Sequence, residues 1–227
     1  MAFSGKICID SGLKGNLRLA YVYICGLAVN RNNGCLAQEM ETTLARLCER
    51  LSDAGRLREF LLPARTLYHR FGLDPTRGRP SSEALLRRVL RGKGLYRINT
   101  LVDACNLSSV EFGLPVGLYD AQKIIGDVVC RPGWPGESYA GIGKEEIHLN
   151  GKPVLADARG PFGNPSSDSR RTMIDLTTSQ ALFVIFAPHS YDATLLGEQL
   201  RKASERILRY CGGTIKASGL LPEEAAS

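Results

Sequence analysis

Y-R-I-N-T-L-V-D-A-C-N-L-S-S-V-E-F-G-L-P-V-G-L-Y-D, residues 96–120, is the stretch around which the rest of the chain has to be arranged. Asn99 is placed to cap a helix from Thr100, and Gly113 fits the left-handed residue that ends it ahead of Leu114 and Pro115. Leu101, Cys105, Ser108 and Phe112 share one face of that helix, while Asp103, Asn106 and Val110 share another. One face packs, and the other presents the polar pair Asp103 and Asn106. A second stretch, D-A-R-G-P-F-G-N-P-S-S-D-S-R-R-T at 157–172, is a glycine-rich polar loop between apolar runs. Its Gly160 and Gly163 let backbone approach a ligand, and Asn164, Ser166, Ser167, Asp168, Ser169 and Arg171 supply donors and acceptors.

Apolar periodicity extends the reading in both directions. Lys6–Ile9 and Leu17–Val29 are expected as strands, and Glu39–Ser52 as a helix carrying Met40, Leu44, Leu47 and Leu51 on one side. A helical pattern continues over 57–71, where Pro63 should interrupt it or begin its second part. Ser81 is expected to cap the next helix. After Asp120, short apolar runs at 127–131, 146–149 and 154–157 alternate with glycine turns, and Asn150-Gly151 signals a hairpin. Residues 172–176 alternate like a strand, 181–187 form a continuous apolar run suited to a buried central strand, and 191–210 are helical. Beyond Thr214 a frayed tail is expected.

Composition narrows the classes. Hydrophobic content of 44% and charged content of 23% suit a globular protein. Residues 1–15 lack a basic start followed by an apolar run, and 17–29 are too short to span a bilayer, so a soluble cytoplasmic protein without a membrane partner is expected. Seven scattered cysteines without metal-ligand spacing are read as reduced thiols, and no metal or cofactor is expected. The net charge of +6 suits an anionic partner, and its distribution is uneven. Arg77, Arg79, Arg87, Arg88, Arg91, Lys93 and Arg97 crowd one short span, a candidate phosphate-binding strip. The single tryptophan, Trp134, sits between Pro132-Gly133 and Pro135-Gly136, where it either closes a loop or stacks a base.

A series of segments carries a resemblance: N-T-L-V-D-A-C-N-L-S-S-V-E-F-G-L-P-V-G-L-Y-D, then G-D-V-V-C-R-P-G-W-P-G-E-S-Y, then V-L-A-D-A-R-G-P-F-G-N-P-S-S-D-S. Over roughly 80–188 it resembles the tRNA-editing domain of the phenylalanyl-tRNA synthetase beta subunit, and especially free-standing proteins made of that domain. The resemblance implies an α+β fold, a mixed sheet flanked by helices, with residues 1–78 as an N-terminal strand-and-helix lobe, 79–213 as the editing-like domain and 214–227 as a tail. It also implies binding of the tRNA acceptor end and hydrolysis of a wrongly attached amino acid. Two departures stand out. Gly117 occupies the place of the family's histidine in P-M-H-x-F-D, and Gly163-Asn164-Pro165 occupies that of its glutamate.

Two functions follow as expectations. One is deacylation by a positioned water, with Asp103, Asn106, Asn164, Ser167 and Asp168 as the catalytic set. Gly117, Tyr119, Phe162, Gly163 and Arg171 would then contact the substrate. The other is a non-catalytic module of the same fold that binds tRNA or an amino acid.

Overall fold

The computed structural model describes residues 5–143 and 145–223. Two four-stranded sheets lie face to face, and helices cover the outer side of one of them. The first sheet has the order β10-β2-β9-β3, built from Thr214–Leu221, Leu17–Cys25, Gln180–Pro188 and Val116–Asp120. All of its pairings are antiparallel. The second has the order β1-β4-β7-β8, from Ile7–Ile9, Val128–Pro132, Pro153–Asp157 and Gly160–Gly163. Its β1 runs parallel to β4, and the other two pairings are antiparallel. A two-stranded ribbon, β5 (Ser138–Tyr139) with β6 (Ile147–His148), stands apart.

The period-2 alternation of strands explains the layering. Along β9, Phe183, Ile185 and Ala187 face a cluster with the helices, while Leu182, Val184 and Phe186 face the second sheet. Strand β2 divides likewise, with Ala20, Val22 and Ile24 toward the helices and Leu17, Leu19 and Tyr23 toward the sheet. Both sides of β9 are buried, as expected of the apolar run at 181–187. In β3 the same rule sends Leu118 to the helices and Tyr119, with Gly117, to the space between the sheets.

The helices are α1 (Gly34–Arg50), α2 (Ala54–Arg70), α3 (Ser81–Leu90), α4 (Thr100–Phe112) and α5 (Ala193–Cys211). The ends of α4 are as the sequence indicates: Asn99 Oδ1 accepts from the Val102 N–H at 2.9 Å, and Gly113 has φ 70°. Its faces differ from the expectation. Leu101, Ala104, Leu107 and Val110 are buried together with Asp103, because α1, α3, α5 and β3 enclose the helix on nearly all sides. A buried ionic cluster ties these helices together. Arg206 of α5 donates to Glu39 of α1 and to Ser108 and Glu111 of α4, at 2.7–2.8 Å.

Local rules fail in five places. Pro63 lies inside a continuous α2, since Ala64, Leu67 and Tyr68 beyond it are anchored in the core. Pro80, not Ser81, is the N-cap of α3, and no side chain caps it. Asn150-Gly151 makes a turn but joins β6 to β7, strands of different sheets, so no hairpin forms. At 172–176 Asp175 turns the chain back by accepting from the Thr177 N–H at 2.8 Å, and no strand is present. Residues 214–221, expected as frayed, form β10 because β2 offers them an open antiparallel edge. The expected tail's last residues, 224–227, lie outside the described residues. Among the described residues no helix is long and apolar enough to cross a membrane.

Candidate functional site

The glycine-rich stretch leaves β8 and folds back against β3 at the edge of the first sheet. Asn164 organises it. Its buried Oδ1 accepts from the Ser166 and Ser167 N–H groups at 2.7 and 3.2 Å, and its Nδ2 donates to the Tyr139 hydroxyl at 2.6 Å. Tyr139 in turn donates to the Ser167 carbonyl at 2.5 Å. From α2, the Tyr68 hydroxyl shares a 2.5 Å hydrogen bond with Ser166 Oγ. The loop is thus fastened from β5 and from α2, two elements distant from it in sequence. Burial raises the pKa of Tyr68, Tyr139 and Tyr119, so all three remain neutral phenols.

Asp168 points back toward β3, where its Oδ2 receives the Leu118 N–H at 3.4 Å, a long bond. The residue keeps a solvent-accessible edge, yet its carboxyl is enclosed by protein. Enclosure pushes its pKa up to about 7, opposed in part by the nearby Tyr119 hydroxyl and the Leu118 amide. That hydroxyl is buried and makes no hydrogen bond of regular geometry, so its influence on Asp168 is one of proximity.

Tyr119 explains the two glycines. A Cβ on Gly117 would lie 1.9 Å from the Tyr119 hydroxyl oxygen, and one on Gly163 would lie 2.1 Å from it. The ring leans back over Gly117, its neighbour on the same face of β3, and meets β8 of the opposing sheet, with Phe162 edge-on at 4.9 Å. The phenol therefore fills the space that side chains at 117 and 163 would need. Gly117→Ala should cost about 1–3 kcal/mol through overpacking. Most of that penalty should vanish in a Tyr119→Ala background, where the ring is gone. A urea-denaturation double-mutant cycle measures the coupling, and additive costs would sink this account.

The structure separates the expected site residues. Asn164, Ser167, Asp168, Gly117, Tyr119, Phe162 and Gly163 are brought together. Asp103 is not with them: its carboxylate accepts from Arg97 Nε at 3.0 Å and the Ile98 N–H at 2.8 Å, on the side of α4 away from Cys105, which neighbours Asp168. Asn106 lies on the face of α4 that Asp103 occupies, one turn on, and is half-buried. Arg171 is committed to a clamp, donating to Asp157 twice at 2.9 Å and to the Lys123 and Gly160 carbonyls. Cys105 is buried and its pKa is raised, which keeps it a thiol. Tyr68 and Tyr139 join the site without a local signal, because their contacts form only on folding.

The basic span divides too. Glu83, fully buried, binds Arg65 through two bonds of 2.8 and 2.7 Å and Arg87 at 2.7 Å, leaving one net positive charge at the surface. Arg97 is paired with Asp103, and Arg88 stacks on Tyr96 at 4.0 Å. Arg77 and Arg79 are exposed just before α3, whose Ser81 N–H bonds to the Pro165 carbonyl at 3.2 Å, so both flank the loop. Arg91 and Lys93 stand exposed at the opposite end of α3.

Residues 63–212 match the model of the B3/4 domain. The chain belongs to the B3/4 domain family. Over 167 residues, this B3/4 protein is 23% identical to the phenylalanine–tRNA ligase beta subunit of Neisseria gonorrhoeae, covering 61% of this chain and 21% of that one. Against the same subunit of Brucella abortus the identity is 32% over 111 residues, 46% of this chain and 14% of the relative. It thus spans about a fifth or less of those relatives. An N-terminal fragment of the Pyrococcus horikoshii phenylalanyl-tRNA synthetase beta subunit superposes with a TM-score of 0.48 at 15% identity, covering 97% of this chain and 55% of the fragment. The family agrees with the resemblance drawn from the ordered motifs.

Proposed function

We propose that this B3/4 protein hydrolyses misacylated aminoacyl-tRNA in trans, binding the acceptor end of the tRNA. The observation that carries this reading is the enclosed Asp168 carboxyl, held near neutrality with an edge open to solvent. A base with a pKa near the working pH is half-ionised and still basic enough to accept a proton. Asp168 takes a proton from a water whose oxygen attacks the ester carbonyl carbon, forming a tetrahedral oxyanion. The bond from that carbon to the ribose oxygen then breaks, Asp168 returns the proton to the ribose oxygen, and free amino acid and deacylated tRNA leave.

The loop amides of Ser166 and Ser167 are occupied by Asn164, so in this scheme the oxyanion donor is a hydroxyl. Ser166 fits: when it accepts from Tyr68 it keeps its own proton to donate. Asp157 and Arg171 fix the loop's base, and Arg79, with the one net charge that Arg65 and Arg87 leave over Glu83, supplies the charge for the phosphates, while Arg77 is paired with Asp74 at 3.7 Å. Asp103 and Asn106 have no role in this scheme, because Asp103 is already paired on another side of α4.

Deacylation of a panel of misacylated tRNAs by the purified protein tests the reading. Turnover is expected on a subset of the panel. Asn164→Ala should lower it at least about tenfold by loosening the loop that carries Asp168. The absence of the family's histidine and glutamate favours a second reading, a binding module without chemistry. Salt-sensitive tRNA binding with no turnover on any substrate would support that reading and overturn the first.

A further inference from the structure

Trp134 is 60% exposed, although an indole is among the largest apolar groups a chain can bury. It is also held rigidly. The Arg131 guanidinium carbon lies 3.7 Å from the ring centroid, and Arg131 donates to both oxygens of Glu137, at 2.5 and 2.8 Å. Glu137 accepts the Trp134 N–H at 2.9 Å and donates its own N–H to the Trp134 carbonyl at 3.1 Å. Gly133 is pinned to Lys152 by a 2.7 Å bond. Both Arg131 and Glu137 are largely buried, so the turn has fixed walls and an aromatic ring held out into water. Closing a loop against the core would bury that ring, and this turn does not.

The ring borders a cleft over the outer face of β4 and β7, where Val129 and Ala156 form the floor and exposed Asp127 a wall. The cleft's other acids are neutralised, Glu137 by Arg131 and Asp157 by Arg171. Flat, apolar, and lined by a carboxylate rather than a free cation, it repels phosphate and suits a ring bearing an amino group. Adenine and cytosine carry exocyclic amino donors, whereas uracil presents an acceptor at the corresponding position. The cleft and the site described above lie on opposite faces of the second sheet and meet at its edge strand, β8. Gly160 lines the cleft, and Gly163, three residues further along β8, packs on Tyr119 beside Asp168, a span of about 10 Å.

We propose that Trp134, backed by Arg131, is a stacking shelf for one unpaired adenine or cytosine in the single-stranded end of a tRNA whose ester lies at Asp168. The proposal rests on the reading given under Proposed function. It names the chemistry that holds the strand: stacking on the indole, with Asp127 Oδ2 accepting from the base's amino group while its Oδ1 holds the Lys6 N–H at 2.8 Å. Base-on-aromatic stacking tolerates any base, so the preference comes from Asp127.

Trp134 is the only tryptophan, so tryptophan fluorescence, excited at the red edge where tyrosine does not absorb, reports on this position alone. Short single-stranded RNAs ending in cytosine, cytosine and adenine are titrated against oligouridines of equal length at one salt concentration. Saturable quenching by the first, at least about fivefold tighter than by the second, is expected, with the gap closing in Asp127→Asn. Trp134→Ala should weaken binding of deacylated tRNA about tenfold, and Trp134→Phe should retain most of it. Absence of quenching, or unchanged binding by Trp134→Ala, overturns the shelf. Failures separate cleanly. Quenching without deacylation keeps the shelf and removes the hydrolysis, while deacylation that neither quenches Trp134 nor responds to Trp134→Ala removes the shelf alone.

Discussion

Asp168→Asn is expected to lower deacylation at neutral pH by about a hundredfold or more and, in the same protein, to raise its melting temperature. The two effects share one cause. The folded protein holds the Asp168 pKa at about 7, whereas an unfolded aspartate titrates near 3.9. Between roughly pH 4 and 7 the native state therefore binds a proton that the unfolded state has lost, and stability falls as pH rises through that window. Asparagine has no such titration and still accepts from the Leu118 N–H. Its advantage over wild type should be absent near pH 4 and reach about 1–2 kcal/mol by pH 8, below the full value of the shift because solvent reaches the residue. Wild-type turnover should rise with pH through about 7 as the carboxylate forms. Urea midpoints at several pH values, with turnover measured alongside, check both halves. Full activity in Asp168→Asn would remove Asp168 as the base, and parallel stability profiles would show that its carboxyl is not strained in the fold.

That carboxyl marks how far the sequence can be read. Local chemistry was legible: an Asn cap and a left-handed glycine bound α4, and an unbroken apolar run became the central strand β9. The loop at 163–168 was legible as a polar, glycine-marked segment between strands, because small and polar residues concentrate there. What side chains do across long separations was hidden. Asp103 and Arg171 look available in one dimension, and only the fold shows Arg97 and Asp157 consuming them. Tyr68 and Tyr139 look like core aromatics until their hydroxyls meet the loop, 98 and 25 residues away in sequence. Seven basic residues close in sequence are not seven free cations, because Glu83 binds Arg87 and Asp103 binds Arg97. Gly117 and Gly163 show the same limit in reverse. Each reads as the loss of a side chain, and together they are the space that the Tyr119 phenol takes up.

The largest structural penalty is expected at Arg206, where alanine should cost about 3 kcal/mol and methionine, which preserves the packing, distinctly less. The Arg206 side chain is 4% exposed and holds α1, α4 and α5 together through Glu39, Ser108 and Glu111. Alanine leaves Glu39 with Tyr210 and a more distant Arg209 at 3.6 Å, and Glu111 with Lys202. Burial alone would raise the pKa of both glutamates. It is outweighed at Glu39 by hydrogen bonds from Tyr210 and Arg206 and at Glu111 by those from Lys202 and Arg206, so both carboxyls titrate below the ordinary value. A depressed carboxyl stabilises the fold above its unfolded pKa and loses that contribution as pH falls through the folded one. Arg206→Ala should therefore flatten the acid limb of the stability curve below about pH 4.5, as well as lowering the whole curve. Asp168→Asn should change the neutral limb and leave the acid limb alone. Urea denaturation of the two variants across pH separates the clusters: an acid limb that survives in Arg206→Ala would mean that Tyr210 and Lys202 suffice to hold the glutamates ionised, and that the arginine contributes packing instead of charge.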